Sequence, residues 1–445
     1  RGAIADLALR EAEHFRRANP MSMLAIQGAH AHWYRGVPFH WMLDWPGPAP
    51  LVAAHASGAT LTTLDGRVLD DFCLGDTASM FGHSPPALAT ALEKQVHDGL
   101  SYMLPTTLGN EVGDMLAQMF GLPVWQVATT ASEANRAVIR WCRGTTGRRK
   151  VLVFNGCYHG SVDDVFVDLR GGVAAHRTSL IGQVHDLLST TCVIEFNDED
   201  SLATALHAGD VACVLAEPVM TNVGMVRDAA GYLARLRELC SETGTILVFD
   251  ETHTLSSGYG GHAQTHGLAP DMIVIGKSIG GGVPVAVYGA SKAMAAQMAR
   301  LDATRSVGHS GIGTTLSANA LSMAAMHAML GAVITPSAYA HMLALAGRLV
   351  AGLESIIARH HLDWHIAHDG ARVEFVCSPQ APTNGSEARA AMRHDLESAI
   401  HLYLANRGIL LAPFHNMMLL SPVTSEQQVD HLTSELNICI AELTP

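Results

Sequence analysis

The sequence predicts an α/β fold built on a mainly parallel sheet with helices on both faces. Short apolar runs recur along the middle of the chain: "KVLVFN", "VACVLAEPV", "TILVFDE" and "MIVIGK". Such runs, bounded by turn residues, read as strands buried on both sides. Helical stretches stand among them, "SEANRAVIRWCRGTTG" before the first and "YLARLRELCSETG" after the second. Strand–helix–strand at this spacing is the pattern of parallel crossovers. At 445 residues, 48% hydrophobic and 16% charged, the chain can bury a large core and hold more than one domain.

The first twenty or so residues, rich in Ala and Arg, predict an amphipathic helix. "HWYRGVPFHWMLDWPGPAP" should be irregular. "ATLTTLDGRVLDDF" alternates around Asp65-Gly66, a hairpin signal. From about residue 85 the alternating units begin, with "PPALATALEKQVHDGL" and "GNEVGDMLAQMFG" as helices before the strand "VWQVATT". Beyond about 320 come long helices, "SANALSMAAMHAMLGAV" and "YAHMLALAGRLVAGLESIIARHH". A mixed tail follows, with "ARVEFVCS", "GILLAP" and "MMLLSP". That shift in composition sets domain limits at 1–84, 85–325 and 326–445.

Net charge is −13, which argues against a nucleic-acid partner, where a basic face is needed. The apolar runs fall short of the ~20 residues that span a bilayer, so no membrane is expected. No signal-peptide pattern is seen. The eight cysteines, Cys73, Cys142, Cys157, Cys192, Cys213, Cys240, Cys377 and Cys439, include no C-x-x-C. They read as thiols of a reducing cytoplasm. The 25 histidines lack a zinc spacing, and His30 and His32 are a candidate metal pair or simply a solvated one.

Four of the 28 basic residues are lysine: Lys94, Lys150, Lys277 and Lys292. A chain that uses arginine for plain charge and places Lys277 behind "MIVI" invites the question of what the amine does. A phosphate loop needs glycines ahead of its lysine, but in "IGKSIGGG" they follow. The same stretch is not G-x-G-x-x-G opening a helix. A turn lysine and a nucleophile remain. An amine attacks a carbonyl only when unprotonated, and free lysine titrates near ~10.4. Burial beside a strand lowers that value.

A Schiff-base lysine serving pyridoxal phosphate requires an acid for the ring nitrogen, an anion cup and a stacking group. Asp250 ends the strand "TILVFD", at the edge where parallel sheets present ligand-binding residues, and is either that acid or a helix cap. Thr130, Ala131 and Ser132 open a helix after a strand, as a phosphate cup or a simple cap. Tyr158, with His159 beside it, is the stacking candidate in "NGCYHG".

Together, "TASEA", "GRRKVLVFNGCYHG", "LAEPV", "VFDE", "DMIVIGKSIGGGVPVAVYGAS" and "GTTLSANALSMAA" stand in the order and spacing of class III aminotransferases. The chain resembles these fold-type I pyridoxal-phosphate enzymes, which include glutamate-1-semialdehyde aminomutase and ω- and β-amino acid transaminases. The likeness runs from roughly 55 to 440. It implies a large domain with a seven-stranded sheet and a small α+β domain made from both ends of the chain. It implies a Schiff base on Lys277, which then moves the substrate proton. Asp250 would pair with the pyridinium nitrogen, Ala131 and Ser132 would hold phosphate, and Tyr158 would stack on the ring. Glu217 would support the site. Thr315 would reach the neighbouring subunit's phosphate, making a homodimer with shared active sites. Thr252 stands where an apolar side chain usually packs on the ring, and "HTLSSGYGG" carries no arginine where many members have one.

The expected activity is transfer of an amino group from an amine or amino acid to a keto acid or other carbonyl by a ping-pong route. The alternatives are an aminomutase, a racemase or epimerase, and a non-catalytic module that keeps the fold. For the substrate, Trp33, Tyr34, Phe39, Trp41 and Trp45 crowd one segment, which either lines the pocket or packs on the body. Arg372 is a carboxylate clamp or an ion pair. His415 and Asn416 are further candidates.

Overall fold

The structure is a computed structural model and describes residues 2–444. The chain divides into two compact units. One comprises the segment through Pro85, Ser337–Ala381 and Ala391 onward; the other comprises Pro86–Pro336 and Pro382–Ala390.

The first unit opens with helices Gly2–Ala18 and Pro20–Ala29, the second carrying proline in its first turn, where no N–H is needed. Short 3-10 turns Tyr34–Gly36 and His40–Leu43 occupy the aromatic segment. Strands β1 (Ala53–Ser57), β2 (Thr60–Thr63) and β3 (Val68–Asp71) pair antiparallel. The β2–β3 turn holds Asp65, whose carboxylate accepts the N–H groups of Met21 and Ser22 at 2.6 and 3.0 Å, tying the second helix to the hairpin.

The second unit carries β4 (Val124–Ala128), β5 (Lys150–Phe154), β6 (Val167–Arg170), β7 (Val173–His176), β8 (Thr191–Ile194), β9 (Val211–Ala216), β10 (Ile246–Asp250), β11 (Met272–Ile275) and β12 (Ala286–Ala290). Seven of them form one sheet in the order β4-β12-β11-β10-β9-β5-β8. Only β12 runs against its neighbours. The link from β11 to β12, residues 276–285, is too short for a helical crossover, so the chain must return antiparallel. β6 and β7 form a separate hairpin. These two features and β8 are not evident from the apolar runs. Val151, Val153, Cys213, Leu215, Val248 and Val274 fill the core with Ala134, Val138 and Cys142 of helix Ala131–Thr146. The helix Gly385–Ala391 returns to this unit, where Arg389 donates to Asp168 at 2.8 Å and to Asn155 Oδ1 at 3.2 Å.

The boundary expected at 325 falls inside helix Ala320–Ala328, which continues through a π turn, Met329–Val333. The units divide after Pro336, and residues 382–390 go with the sheet rather than with the C-terminal segment.

Back in the first unit, helix Pro336–Arg359 leads to β13 (His365–Asp369) and β14 (Arg372–Val376). Helix His394–Asn406, β15 (Ile409–Leu410), β16 (Met417–Leu419) and helix Glu426–Leu443 follow. β15 pairs with β3, so both ends of the chain share one sheet. Pro336–Arg359 is long and apolar enough to cross a membrane by length and composition. Here Leu345, Leu349 and Leu353 instead pack with Val373, Ile400, Leu404 and Leu432. Its Arg348 makes a two-pronged ion pair with Asp430 at 2.8 and 2.7 Å.

Glu11, 1% exposed, locks the first helix to helix His394–Asn406. It accepts from Asn406 at 2.8 Å, from Arg407 at 2.8 and 3.1 Å and from Arg10 at 3.0 Å. Burial pushes its carboxyl up, but these donors outweigh burial and hold it below the ordinary range. A depressed folded value stabilises the protein above the unfolded value of 4.5 and is lost as pH falls through the folded one. Glu11→Ala should therefore lower unfolding free energy by about 2 kcal/mol at neutral pH, and by less in acid. Denaturant titrations at the two pH values check this.

Candidate active site

Parallel strands deliver their C-terminal ends to a single sheet edge, and five of them end in polar residues there. β9 runs into Glu217, β10 ends at Asp250, and β11 runs through Gly276 into Lys277. Register aligns them, with Phe249 opposite Ala216 and Asp250 opposite Val274. β4 leads into Thr129–Ser132 and β5 into Asn155–Ser161. Ligands bind at this edge in open α/β sheets because the loops and helix starts converge there.

Asp250 is buried with a full set of donors. His159 Nδ1 lies 2.9 Å from Oδ2, Asn135 Nδ2 donates to Oδ2 at 3.0 Å, and the Thr252 N–H donates to Oδ1 at 3.1 Å. Burial alone would raise this carboxyl; His159, Thr252 and Asn135 outweigh it, and the group sits below its ordinary value. His159 shows the complement: burial opposes its charge, but Asp250, with a smaller part from Cys157, lifts it to about 10. The edge thus presents an ionised carboxylate in a water-poor setting.

Beside it, helix Ala131–Thr146 starts with Thr130 as its cap, accepting the Glu133 N–H at 3.3 Å. A helix of sixteen residues places a positive end here. Ser132 Oγ accepts the Ser161 N–H at 3.0 Å, drawing the Tyr158 loop against the helix start. Two glycines permit the approach. A Cβ on Gly160, whose φ is +83°, would overlap Ser132, and one on Gly276 would come within 2.9 Å of Ala131 Cβ. Gly276 therefore seats the lysine turn directly against the helix start. Thr252 Oγ1 accepts the Gly276 N–H at 3.1 Å and fixes that turn.

Lys277 opens a 3-10 turn with φ +49°, the left-handed region that L residues avoid. Its Nζ is 2.6 Å from His253 Nε2. The other ring nitrogen meets Thr221 Oγ1, which is 2.8 Å from Glu217 Oε1. Burial raises the Glu217 carboxyl, as does Asp250; His159, Thr221 and the Tyr158 N–H act the other way. Glu251, next to Asp250 but on the opposite side of the strand, is wholly buried. It accepts the His262 and Ala263 N–H groups at 2.5 and 3.2 Å and the Thr254 hydroxyl at 3.1 Å.

Thr130, Ala131, Ser132, Tyr158, His159, Glu217, Asp250, Thr252 and Lys277 thus all lie at or beside this edge. The other candidates stand elsewhere. Thr315 is exposed in the segment before helix Ala320–Ala328. Trp41, in the other unit, packs edge-on against Phe414 at 6.1 Å. Arg372 is 1% exposed on β14, donating to Thr77 Oγ1 at 2.8 Å and touching Met417 Sδ, so it is no surface ion pair. His415 pairs with Glu374 at 2.8 Å, and Asn416 bonds Glu374, Phe375 and His401. No cluster of three metal-ligating side chains occurs among the described residues, and His30 and His32 form none.

Asn135, His253 and Thr221 are the site residues that sequence reasoning missed. Asn135 left one signal: it is a polar residue among the buried Ala134, Ala137 and Val138 of its helix. His253 and Thr221 lie in irregular segments, where no periodicity marks a facing.

The sequence matches the class-III aminotransferase family over residues 44–440. The chain belongs to that family. It is an enzyme, and its cofactor is pyridoxal 5′-phosphate. Glutamate-1-semialdehyde 2,1-aminomutase of Thermomicrobium roseum is 32% identical to this class-III aminotransferase over 405 residues, 89% of this chain and 92% of that protein. A crystal structure of a glutamate-1-semialdehyde aminomutase from Pseudomonas aeruginosa PAO1 superposes with TM-score 0.97 at 45% identity, covering 99% of each chain. A β-phenylalanine aminotransferase from Variovorax paradoxus shares the fold, with TM-score 0.86 at 24% identity over 98% of this chain and 97% of that one. The architecture is fold type I.

The donor set suits this cofactor. It carries a ring nitrogen, an aldehyde and a phosphate, and the edge offers an ionised carboxylate, an amine and a helix start. Asp250→Asn keeps the shape but removes the charge, and should cut turnover by about a hundredfold or more, checked by steady-state kinetics.

Glu251 gives a second test. Burial pushes its carboxyl up to about 7, against an unfolded value of 4.5, despite His262, the Ala263 N–H and Thr254. Between those values the folded state keeps a proton the unfolded state releases, so stability falls as pH rises. The slope should approach ~1 kcal/mol per pH unit and be reduced in Glu251→Gln, read from denaturant midpoints across the window.

Proposed function

We propose that this class-III aminotransferase works as an aminomutase of the glutamate-1-semialdehyde type, exchanging an amino and a carbonyl group on neighbouring carbons of one small substrate. The observation that carries this is the 45% identity to the Pseudomonas aeruginosa aminomutase across 99% of both chains. The Thermomicrobium roseum relative supports it. Two-substrate transfer to a keto acid, the first expectation from sequence, rests on neighbours such as the Variovorax paradoxus enzyme, whose 24% identity speaks for fold only.

Thr130, Ala131 and Ser132 would hold the cofactor phosphate at the helix start, and Tyr158 would stack on its ring. Asp250, kept charged by His159 and Asn135, would pair with the ring nitrogen. When bound, pyridoxal phosphate supplies an electron sink for the amino-bearing carbon. Lys277 Nζ takes the proton from that carbon and returns it at the next position, acting as both base and acid. Glu217 braces the site through Thr221. A second copy of the chain supplies Thr315 to the phosphate, so the working form is a homodimer with shared sites. Trp41, Arg372 and His415 are proposed to take part in substrate recognition. A reducing cytoplasm fits the eight cysteines, none of which forms a disulfide among the described residues.

Supplied with glutamate-1-semialdehyde and no keto acid, the holoenzyme should form the isomer with nitrogen moved from carbon 2 to carbon 1. Chromatography of the product checks this, with Lys277→Ala, expected to be inactive, as control. Strict dependence on an added keto acid would replace this reading with two-substrate transfer.

A further inference from the structure

Four side chains form one unbroken polar chain. Lys277 Nζ meets His253 Nε2 at 2.6 Å, His253 Nδ1 meets Thr221 Oγ1 at 2.5 Å, and Thr221 Oγ1 meets Glu217 Oε1 at 2.8 Å. Thr221 and Glu217 are 2% and 5% exposed, so its inner end is shut off from bulk water.

The hydrogen count makes the chain directional. Thr221 has one hydroxyl hydrogen and a neutral imidazole has one N–H. With the amine protonated and Glu217 ionised, Nζ donates to Nε2, Nδ1–H donates to Thr221, and Thr221 donates to Glu217. With the amine neutral and Glu217 protonated, every bond reverses: the carboxyl donates to Thr221, Thr221 to Nδ1, and Nε2–H to the nitrogen lone pair.

We propose that His253 and Thr221 are a proton relay that carries a proton from Lys277 to Glu217 and back, with Glu217 as its store. In the forward step an N–H bond breaks at Nζ and an O–H bond forms at Glu217. His253 exchanges its Nδ1 hydrogen for one on Nε2, Thr221 passes on one hydrogen and receives another, and no net charge leaves the site. Burial of Glu217 favours its protonated form, which suits a store. The charged groups facing Glu217 are Asp250, which favours protonation, and His159, which opposes it; these two are paired at 2.9 Å. The relay answers a need of the chemistry, since Lys277 must be unprotonated to accept the substrate proton and protonated to return one. It deepens the proposed function and rests on that reading for the reaction served, but the four side chains are joined without cofactor or substrate.

The test uses the full chain freed of cofactor. Trace acylation with acetic anhydride between about pH 6 and 10, followed by peptide mass spectrometry, reports the free-amine fraction at Lys277, with Lys94 as reference. Thr221→Val keeps the shape and cuts the relay; it should slow Lys277 labelling near neutral pH about tenfold. His253→Phe should do the same, and Thr221→Ser should keep the wild-type profile. On the holoenzyme, the pH dependence of the long-wavelength cofactor band should shift in Thr221→Val and not in Thr221→Ser. Wild-type labelling and an unshifted band in folded Thr221→Val overturn the relay, even if isomerisation is confirmed. A labelling difference with no isomerase activity leaves the relay standing and sinks the function proposed above.

Discussion

A carboxylate taken out of water keeps its charge only where donors replace the lost hydration, and Asp250 is the place where this molecule meets that demand. Its three donors arrive from three directions: His159 from the loop after β5, Asn135 from helix Ala131–Thr146, and the backbone N–H of Thr252 from its own strand end. Each comes from a different part of one sheet. The strand order β10-β9-β5 and the helix packed over them are therefore what the charge needs in order to persist. Asn135 Nδ2 also donates to the His159 carbonyl at 3.1 Å, so the donors brace one another. The charge at this edge depends on the fold.

Three carboxylates lie within a short span of that edge and behave differently. Asp250 has the charged His159 as partner and is pulled down. Glu217, with a hydroxyl and backbone N–H groups, is pushed up, and Glu251, held by N–H groups and a hydroxyl, is pushed up to about 7. All three are buried to a similar degree. Neutral donors soften the cost of burial, whereas a cation reverses it. An environment set by local partners thus sorts one fixed charge from two carboxyls whose protonated form is favoured.

Much of this edge was legible in the sequence. Continuous apolar runs mark parallel strands because both faces are covered, and polar residues at their ends must then share an edge. That logic reaches Asp250 and Lys277 without coordinates, while Glu217 came from the family resemblance. The scarcity of lysine singled out residue 277, and small residues opening a helix marked Thr130–Ser132. What escaped was set by tertiary contact. β12 reads as another buried run, and its direction follows only from the length of its link. The first unit draws its sheets from distant segments, β3 pairing with β15 across more than three hundred residues, which no local pattern encodes. Arg372 reads in the sequence as a carboxylate clamp or an ion pair, yet lies buried and donates to Thr77. His253 sits in a stretch without periodicity, so its approach to Lys277 appears only once β10 and β11 are aligned.

The backbone at Lys277 has one more consequence. A φ of +49° on a side-chain-bearing residue costs of order 1 kcal/mol, and glycine would adopt it freely. Selection for stability alone would favour glycine at this position, and the role proposed for the amine would be what keeps lysine there. Folding and chemistry compete at a single residue, so a descendant that lost its reaction would be expected to drift first at 277, becoming sturdier as it fell silent.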